Sequence, residues 1–297
     1  MTKIVVVIPA LNEAGSIGMV LDEIFDVLKD ENFKVLVVDG RSTDGTDKIA
    51  KEKGAVVIYQ SKIGYGNALA EGFMYAKERL NADILVMMDA DLTYDAKDIP
   101  KLIKPIIANE ADFVVGNRFR GMQKGSMSFV NRFGNRVLSW FVRKTLKINV
   151  HDTQCGIRAF KAELLKDINL TCEGMPFATE MLAEAKFASA KILETPVNYR
   201  PRIGKTKLNP IKDGLMIFGT ILRLLRDTSP LLFFGGIGVI FMIVGIILGL
   251  DVTFEWFRTG TVGRIPTLLL VVLLVMGGIQ FFAVGLLADM IKRFKRK

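Results

Sequence analysis

The first 90 residues alternate between short apolar runs and amphipathic segments. The runs 4–8, 35–38 and 84–88 are made of Val, Ile, Leu and Met, which is typical of buried strands. Amphipathic segments at 16–28, 46–53 and 67–79 lie between them. This alternation of strands and helices favours a parallel sheet with right-handed crossovers. We therefore expect an α/β fold of the nucleotide-binding kind.

Polar residues follow each of these three apolar runs. Residues 9–13 follow the first run, residues 39–46 the second, and Asp89-Ala90-Asp91 the third. Ligands of open α/β sheets bind outside the carboxyl ends of the strands, and Mg²⁺ prefers one or two carboxylates together with substrate phosphates. The two aspartates therefore predict a metal-bound diphosphate at this edge, with a solvated turn as the alternative.

The C-terminal third of the chain predicts a membrane hairpin. Residues 231–250 and 265–288 carry no charged side chain, and each run has the roughly 20 residues that a helix needs to cross a ~30 Å hydrocarbon core. The chain has 297 residues, half of them hydrophobic, which allows one domain of roughly 200 residues besides this hairpin. A buried helical hairpin of a soluble protein is the alternative.

The charges beside the two runs predict their orientation. Basic residues precede the first run and follow the second, whereas the short connection mixes both signs. The positive-inside rule then places both ends in the cytoplasm, and the N-terminus shows no signal-peptide pattern. We expect a multi-pass protein of the cell membrane with its α/β domain on the cytoplasmic side.

The net charge of +9 indicates an anionic partner. No nucleic-acid motif is present, and the basic residues gather beside the membrane segments, so anionic lipid is expected rather than nucleic acid. The two cysteines, Cys155 and Cys172, lack the spacing of a zinc site and are interpreted as free thiols.

Arginines supply candidate ligands for a phosphate. Arg118 follows the apolar run 113–115, and we expect it on a short turn near the metal edge. Arg132 and Arg136 share one face if 129–146 is helical. A guanidinium binds phosphate in bidentate fashion. A solvated helix face or contacts with lipid headgroups are the alternatives, and the apolar residues of 129–146 and 210–225 suggest interfacial helices or ordinary packing.

These segments resemble glycosyltransferase family 2 and, within it, the dolichyl-phosphate and polyprenyl-phosphate sugar synthases. The resemblance covers nearly the whole chain and rests on five segments in the family's order: residues 9–13, 37–46, 89–91, 116–118 and 202–207. It implies a GT-A Rossmann-like catalytic domain over 1–208, an amphipathic juxtamembrane helix over 209–229, and two transmembrane helices within 230–297.

The resemblance also implies roles for individual residues. The nucleotide sugar, linked to UDP or GDP, is expected against Pro9, Leu11, Asn12, Glu13, Asp39, Gly66, Asp89, Ala90 and Asp91. Asp89 and Asp91 are the expected ligands of Mg²⁺ or Mn²⁺. The acceptor phosphate is expected at Arg118, Arg132, Arg136, Arg202 and Lys207, of which Arg118 and Arg132 join the two aspartates as catalytic residues. Asp39 has a second interpretation as a turn residue.

The expected activity is inverting transfer of one hexose from the nucleotide sugar to dolichyl or polyprenyl phosphate. A lipid monophosphate has a second pKa of about 6, like a phosphorylated side chain, and is largely deprotonated at neutral pH, so no general base is needed. We accordingly interpret the single histidine, His151, as a polar loop residue. A direct in-line attack inverts the anomeric carbon.

Several alternatives stay open at this stage. Thr93 and Tyr94 stand where some relatives have a third metal ligand, so water is one candidate for that position. The chain lacks the Gln-x-x-Arg-Trp motif of processive polysaccharide synthases, which favours single transfer. A non-lipid or polymer acceptor and a non-catalytic nucleotide-sugar-binding scaffold are the other functions considered. The sugar, the role of Glu180 and assembly as a monomer or homo-oligomer are undetermined.

Overall fold

A computed structural model describes residues 2–171, 174, 176–202, 215–216, 218–220, 222–223, 225–226, 229–261 and 263–294. The chain divides into two compact units, Met1–Thr220 and Ile221–Lys297. The first unit holds a seven-stranded sheet, with strands β1 Ile4–Ala10, β2 Phe33–Asp39, β3 Val56–Tyr59, β4 Ile84–Met87, β5 Phe113–Met122, β6 Arg158–Lys161 and β7 Ile192–Tyr199. Its helices are α1 Ile17–Leu28, α2 Thr46–Glu52, α3 Tyr65–Glu78, α4 Ile99–Ile107, α5 Phe129–Leu146 and α6 Phe177–Phe187.

The sheet is mixed, with the strand order β3-β2-β1-β4-β6-β5-β7. Strands β1, β2 and β4 are mutually parallel, as the alternation of strands and helices predicts. Strand β3, which the sequence did not predict, pairs in parallel with β2. Strand β6 runs antiparallel to both of its neighbours, β4 and β5, and was not anticipated. The central strands are almost wholly inaccessible to solvent, and this double burial explains their continuous apolar runs.

Strand β5 differs from the expectation for Arg118. The short turn predicted after Val115 is wrong, because β5 continues from Phe113 to Met122 and Arg118 lies within it. The residues beyond Val115 pair with β7 through a register shift between Asn117 and Gly121. Pairing with an edge strand therefore extends β5 beyond its apolar segment.

The second unit contains the helices α7, Pro230–Thr259, and α8, Ile265–Phe294. Both are long and apolar enough to cross a membrane. They pack closely where Gly238 faces Gly278, since a Cβ at Gly238 would lie 2.5 Å from the Gly278 carbonyl oxygen. Many large apolar side chains of the hairpin are exposed, which suits a surrounding of lipid.

Helix α7 is longer than the predicted span 231–250. It continues through Asp251 and Glu255, and Arg264 forms ion pairs with both of these carboxylates. The helix thus continues beyond the apolar run, because Arg264, which follows the helix, compensates the charges of Asp251 and Glu255.

Part of the predicted juxtamembrane segment falls outside the described residues. All of residues 203–214, which include Lys207, lie outside the described residues, and so does Cys172. Within 209–229, the described residues 215–216, 218–220, 222–223 and 225–226 are helical, and Leu215 and Met216 are exposed.

Candidate active site

The two aspartates after β4 have different hydrogen-bond partners. The Tyr65 hydroxyl donates to Asp89 Oδ1 over 2.9 Å. Asp91 Oδ1 accepts from the backbone N–H of Thr93 at 3.1 Å and from its hydroxyl at 2.6 Å. Thr93 therefore closes a turn on Asp91 through Oδ1, and Asp91 Oδ2 takes no part in these two hydrogen bonds.

Gly156 allows a very close approach to Asp89. A Cβ at this position would clash with Asp89 Oδ2 and lie 3.1 Å from the Tyr94 hydroxyl. The N–H of Gly156 donates to that same hydroxyl over 2.6 Å. Asp89 is thus fixed between Tyr65 on one side and the backbone of Gly156 on the other.

The environment of Asp89 disfavours its negative charge. Burial, followed by repulsion from Asp91, raises the pKa of the Asp89 carboxyl to about 7. The Tyr65 hydrogen bond and the charges of Arg118 and Arg202 act in the opposite direction but are weaker. A divalent cation held by both aspartates would offset the repulsion between their negative charges.

Arg202 connects the aspartate pair to the loop after β1. Its Nη2 lies 2.7 Å from Glu13 Oε1 and its Nη1 lies 3.4 Å from Asp91 Oδ2. Its Nε is buried and has no hydrogen-bond partner among the described residues. The predicted acceptor ligand Arg202 therefore lies with residues predicted for the donor, and it offers an unused donor group there.

The loops after β1 and β2 hold each other. The backbone N–H of Asn12 donates to Ser42 Oγ at 2.9 Å, and the N–H of Thr43 donates to Asn12 Oδ1 at 2.8 Å. Asn12 has a positive φ of 49°, which an asparagine tolerates better than most residues. Asp39 is fully buried and accepts from the N–H and hydroxyl of Ser42.

The remaining predicted donor residues surround these loops. Pro9 lies in β1, Leu11 is 40% exposed directly after it, and Gly66 is buried in the first turn of α3. Ala90 is buried between the two aspartates. Leu11 therefore presents an apolar surface beside polar loops, as a nucleoside base requires.

Arg118 forms a buried bidentate ion pair with Asp152. Nε and Nη2 of Arg118 donate to the two carboxylate oxygens, each over 2.8 Å, and the backbone N–H of Arg118 adds a third bond of 3.0 Å. Burial lowers the pKa of the Arg118 guanidinium, but attraction to Asp152 outweighs it, and the net shift is upward. The same buried guanidinium lies over the Tyr199 ring, 5.4 Å from its centroid, and forms a hydrogen bond with the Tyr199 side chain.

Glu194 forms hydrogen bonds with the residues next to this ion pair. Glu194 accepts from the backbone N–H groups of His151 and Asp152, at 2.6 and 2.8 Å, and from Asn117 Nδ2 at 2.9 Å. The His151 ring lies 3.1 Å from the same carboxylate. Glu194 therefore fixes the loop from which Asp152 reaches Arg118.

The fully buried Arg158 anchors the other end of that loop. Its guanidinium donates to the backbone carbonyls of Thr153, Cys155 and Ala178 over 2.6 to 2.9 Å. Cys155, between them, is buried as a free thiol, and burial raises its pKa to about 12. A thiol with such a high pKa is unreactive at neutral pH.

Helix α5 has the bounds 129–146 that the sequence predicts. Ser128 caps it by accepting from the N–H of Asn131. Arg132 is exposed, and the Arg136 guanidinium lies over the Phe119 ring, 5.4 Å from its centroid. Large apolar side chains on this helix are exposed, including Phe129 at 83% and Phe133 at 61%.

Comparison with known proteins decides the family. Residues 5–168 match the model of glycosyl transferase family 2. The chain belongs to this family. Glycosyltransferase AglJ of Haloferax volcanii is 35% identical over 97% of this chain and 93% of its own length. The dolichyl-phosphate hexose transferase of the same organism is 37% identical over 73% of this chain and 92% of its own length. This protein is therefore a family 2 glycosyltransferase.

Solved structures show the same fold. Glucosyl-3-phosphoglycerate synthase from Mycobacterium tuberculosis, in complex with Mn²⁺, UDP and glucosyl-3-phosphoglycerate, superposes with a TM-score of 0.63 at 24% identity. The match covers 75% of this chain and 80% of that one. The mixed sheet of this family 2 protein is thus a GT-A glycosyltransferase fold.

The structure also identifies residues near the aspartates that the sequence did not. Tyr65 donates to Asp89, Asp152 accepts from Arg118, and Arg158 donates to backbone carbonyls; none of these three contacts was assigned from the sequence. Glu180, whose role was open, accepts from Thr171. Among the described residues, no group of three His, Cys, Asp or Glu side chains forms a metal site, so a third protein ligand of those types is not evident.

Proposed function

We propose that this family 2 glycosyltransferase transfers a single hexose, with inversion, from a UDP- or GDP-linked sugar to dolichyl or polyprenyl phosphate. The observation that carries the proposal is the geometry at Asp89 and Asp91, two carboxylates fixed at the end of β4 beside Arg202. The relative named dolichyl-phosphate hexose transferase supports the acceptor, and the catalytic unit is proposed to face the cytoplasm.

The aspartates fit a divalent cation. Burial and, after it, repulsion from Asp91 raise the pKa of Asp89. Two carboxylates are also the number that Mg²⁺ commonly takes from protein beside substrate phosphates. Structural neighbours hold Mn²⁺ or Mg²⁺ together with UDP. When bound, Mg²⁺ or Mn²⁺ would neutralise charge on the departing diphosphate as a Lewis acid.

Arg202 is proposed to act on the donor side. Its buried Nε lacks a partner among the described residues, and its Nη1 is 3.4 Å from Asp91, which is longer than a hydrogen bond. A diphosphate between these groups would accept from the guanidinium. Leu11 and the Asn12 loop are proposed to contact the nucleoside.

The acceptor phosphate is proposed to bind Arg118 and Arg132, whereas Arg136 lies over the Phe119 ring and lines a cavity between the end of β5 and helix α5. Arg118 is oriented by Asp152, which fixes the plane of its guanidinium. The phosphate itself is the nucleophile, so the residues need only orient it. Lys207 stays a predicted acceptor ligand outside the described residues.

A donor panel tests this function. Purified full-length protein is incubated with Mn²⁺, a polyprenyl phosphate and UDP- or GDP-sugars in turn, and glycolipid is detected by mass. We expect one donor to give a lipid-phosphate hexose of inverted anomeric configuration. Donor hydrolysis without glycolipid, or transfer to a sugar acceptor that needs no lipid phosphate, would contradict the proposal.

Replacing Tyr65 by phenylalanine is expected to weaken Mn²⁺ binding about tenfold. The variant loses the hydrogen bond that favours the charged form of Asp89, and bonds to charged groups are worth roughly 1.5–3 kcal/mol. Electron paramagnetic resonance of free Mn²⁺ measures the affinity. Tyr75→Phe, on the same helix α3, is the matched control. Equal Mn²⁺ affinity of both variants would exclude a role for the Tyr65 hydroxyl.

Metal binding is also expected to depend on pH. The cation must displace the proton from Asp89, whose pKa is about 7 in the metal-free protein. Raising the pH through 7 deprotonates Asp89, so Mn²⁺ affinity should rise about tenfold between pH 6 and pH 8 and then level off. The same titration with Asp89→Asn provides the control. A parent affinity that does not change over this range would contradict the assignment.

A further inference from the structure

A cavity of about 390 Å³ lies between the end of β5 and helix α5. It is lined by Asn117, Phe119, Arg120, Arg136, Ser139, Trp140, Arg143 and His151. The aspartates of the candidate active site do not line it. Asn117 lines this cavity, whereas the next residue, Arg118, binds the buried Asp152. The cavity therefore shares neither the two aspartates nor Arg118 with the candidate active site.

The cavity carries uncompensated positive charge. Within the described part of the chain, no carboxylate forms an ion pair with Arg120, Arg136 or Arg143. The nearest acidic group with a defined contact is Glu194, 3.1 Å from the His151 ring. Glu194 is almost inaccessible and already accepts from Asn117 and two backbone N–H groups. The Glu194 carboxylate thus accepts hydrogen bonds from the loop and, in the described part of the structure, forms no ion pair with Arg120, Arg136 or Arg143.

The walls of the cavity are partly aromatic. The Phe119 ring lies under the Arg136 guanidinium, and Trp140 is 49% exposed. One and two turns before Trp140 on α5, Val137 and Phe133 are exposed as well. Cationic groups beside an exposed apolar helix face suit an amphiphile that has a phosphate at one end.

We propose that this cavity is a second anion site, which binds the phosphate of an anionic membrane lipid while the acceptor occupies the reaction centre. The proposal concerns Arg120, Arg143 and Trp140, and it rests on the proposed function only for the identity of the acceptor. Phosphatidylglycerol is the probe, because its phosphodiester is the one charged group of its headgroup. Each Arg near a lipid surface contributes about fivefold to anionic binding, so two contribute about 25-fold.

Trp140 provides the measurement. The chain has two tryptophans, and Trp256→Phe leaves Trp140 as the single fluorophore. Full-length Trp256→Phe protein in detergent is titrated with chain-brominated phosphatidylglycerol and, separately, with chain-brominated phosphatidylcholine. We expect phosphatidylglycerol to quench Trp140 at a concentration at least tenfold lower than phosphatidylcholine does.

Charge variants in this background test the site itself. In the double variant Arg120→Gln/Arg143→Gln, the preference for phosphatidylglycerol should fall to at most about fivefold, the contribution of the remaining Arg136. The control Lys48→Gln/Arg79→Gln removes the same charge from exposed positions in the same unit and should keep the preference. Both double variants should bind donor and Mn²⁺ as the parent does, because none of these residues belongs to the proposed active site.

Three outcomes would overturn the proposal. The first is equal quenching of the parent by the two lipids, and the second is an unchanged preference in Arg120→Gln/Arg143→Gln. The third is relief of quenching by one equivalent of polyprenyl phosphate or by millimolar inorganic phosphate, which would make the cavity part of the acceptor site or a site for free phosphate. If no donor in the panel gave glycolipid but the preference for phosphatidylglycerol was kept, the proposed transferase reaction would be refuted and the proposed lipid site would not be.

Discussion

Replacing Asp91 by asparagine is expected to reduce glycosyl transfer at least about a thousandfold. Asparagine can still accept from the N–H and hydroxyl of Thr93 through its amide oxygen, so the turn is kept. Its amide nitrogen, however, would replace the oxygen that faces Arg202 and, in the proposed mechanism, the cation. Loss of several kcal/mol of charge stabilisation corresponds to a factor of this size. Turnover is measured as glycolipid formed per minute.

The control for this variant is Asp22→Asn. Asp22 forms an exposed ion pair with Lys53 on the surface, so its replacement should leave turnover and Mn²⁺ affinity unchanged. The thermal unfolding midpoints of both variants should equal that of the parent within a few degrees. If Asp91→Asn retained more than about a tenth of parental turnover, Asp91 would not be a metal ligand.

Replacing Asp152 by asparagine is expected to give the largest loss of stability. The change leaves the buried Arg118 guanidinium facing an amide, and removal of one partner of a buried ion pair costs about 3–5 kcal/mol. For a catalytic unit of this size, the thermal unfolding midpoint should fall by about 6–20 °C. Circular dichroism of the full-length protein in detergent measures the change.

The double variant Arg118→Gln/Asp152→Asn separates the two possible roles of Arg118. It removes both charges and keeps an amide oxygen at residue 152 that can accept from the backbone N–H of residue 118, so most of the lost stability should return. If Arg118 binds the acceptor, the KM for polyprenyl phosphate stays at least tenfold raised in this stable protein. Parental acceptor kinetics in the double variant would show that the ion pair is purely structural.

The sequence predicts the strands of this fold well because their apolar runs are buried on both faces of the sheet. The parallel arrangement of β1, β2 and β4 and the bounds of α5 are confirmed, whereas the four-residue strand β3 was not predicted. Strand β6 was missed because its four residues include Arg158, and a buried arginine interrupts the apolar pattern. Only the tertiary structure shows that three backbone carbonyls satisfy this charge.

The candidate site was predictable where its residues follow strands. Asp89, Asp91 and the loops after β1 and β2 lie together because parallel strands end at one edge. Tyr65 and Asp152 could not be assigned, since they meet their partners over separations of 24 and 34 residues. Their contacts depend on how helices and loops pack, and no local pattern encodes that.

Strand β6 has a consequence for how the two substrates are aligned. Met87 of β4 and Val115 of β5 both pair with Arg158, so the two outer strands run in the same direction at the same level. Neighbouring strands are about 4.8 Å apart, which places β4 and β5 about 10 Å from each other. The distance between the carboxylates beyond β4 and the guanidinium on β5 is therefore set by interstrand hydrogen bonds within one sheet. Under the proposed function, this fixed spacing would align donor and acceptor without a hinge motion between two lobes.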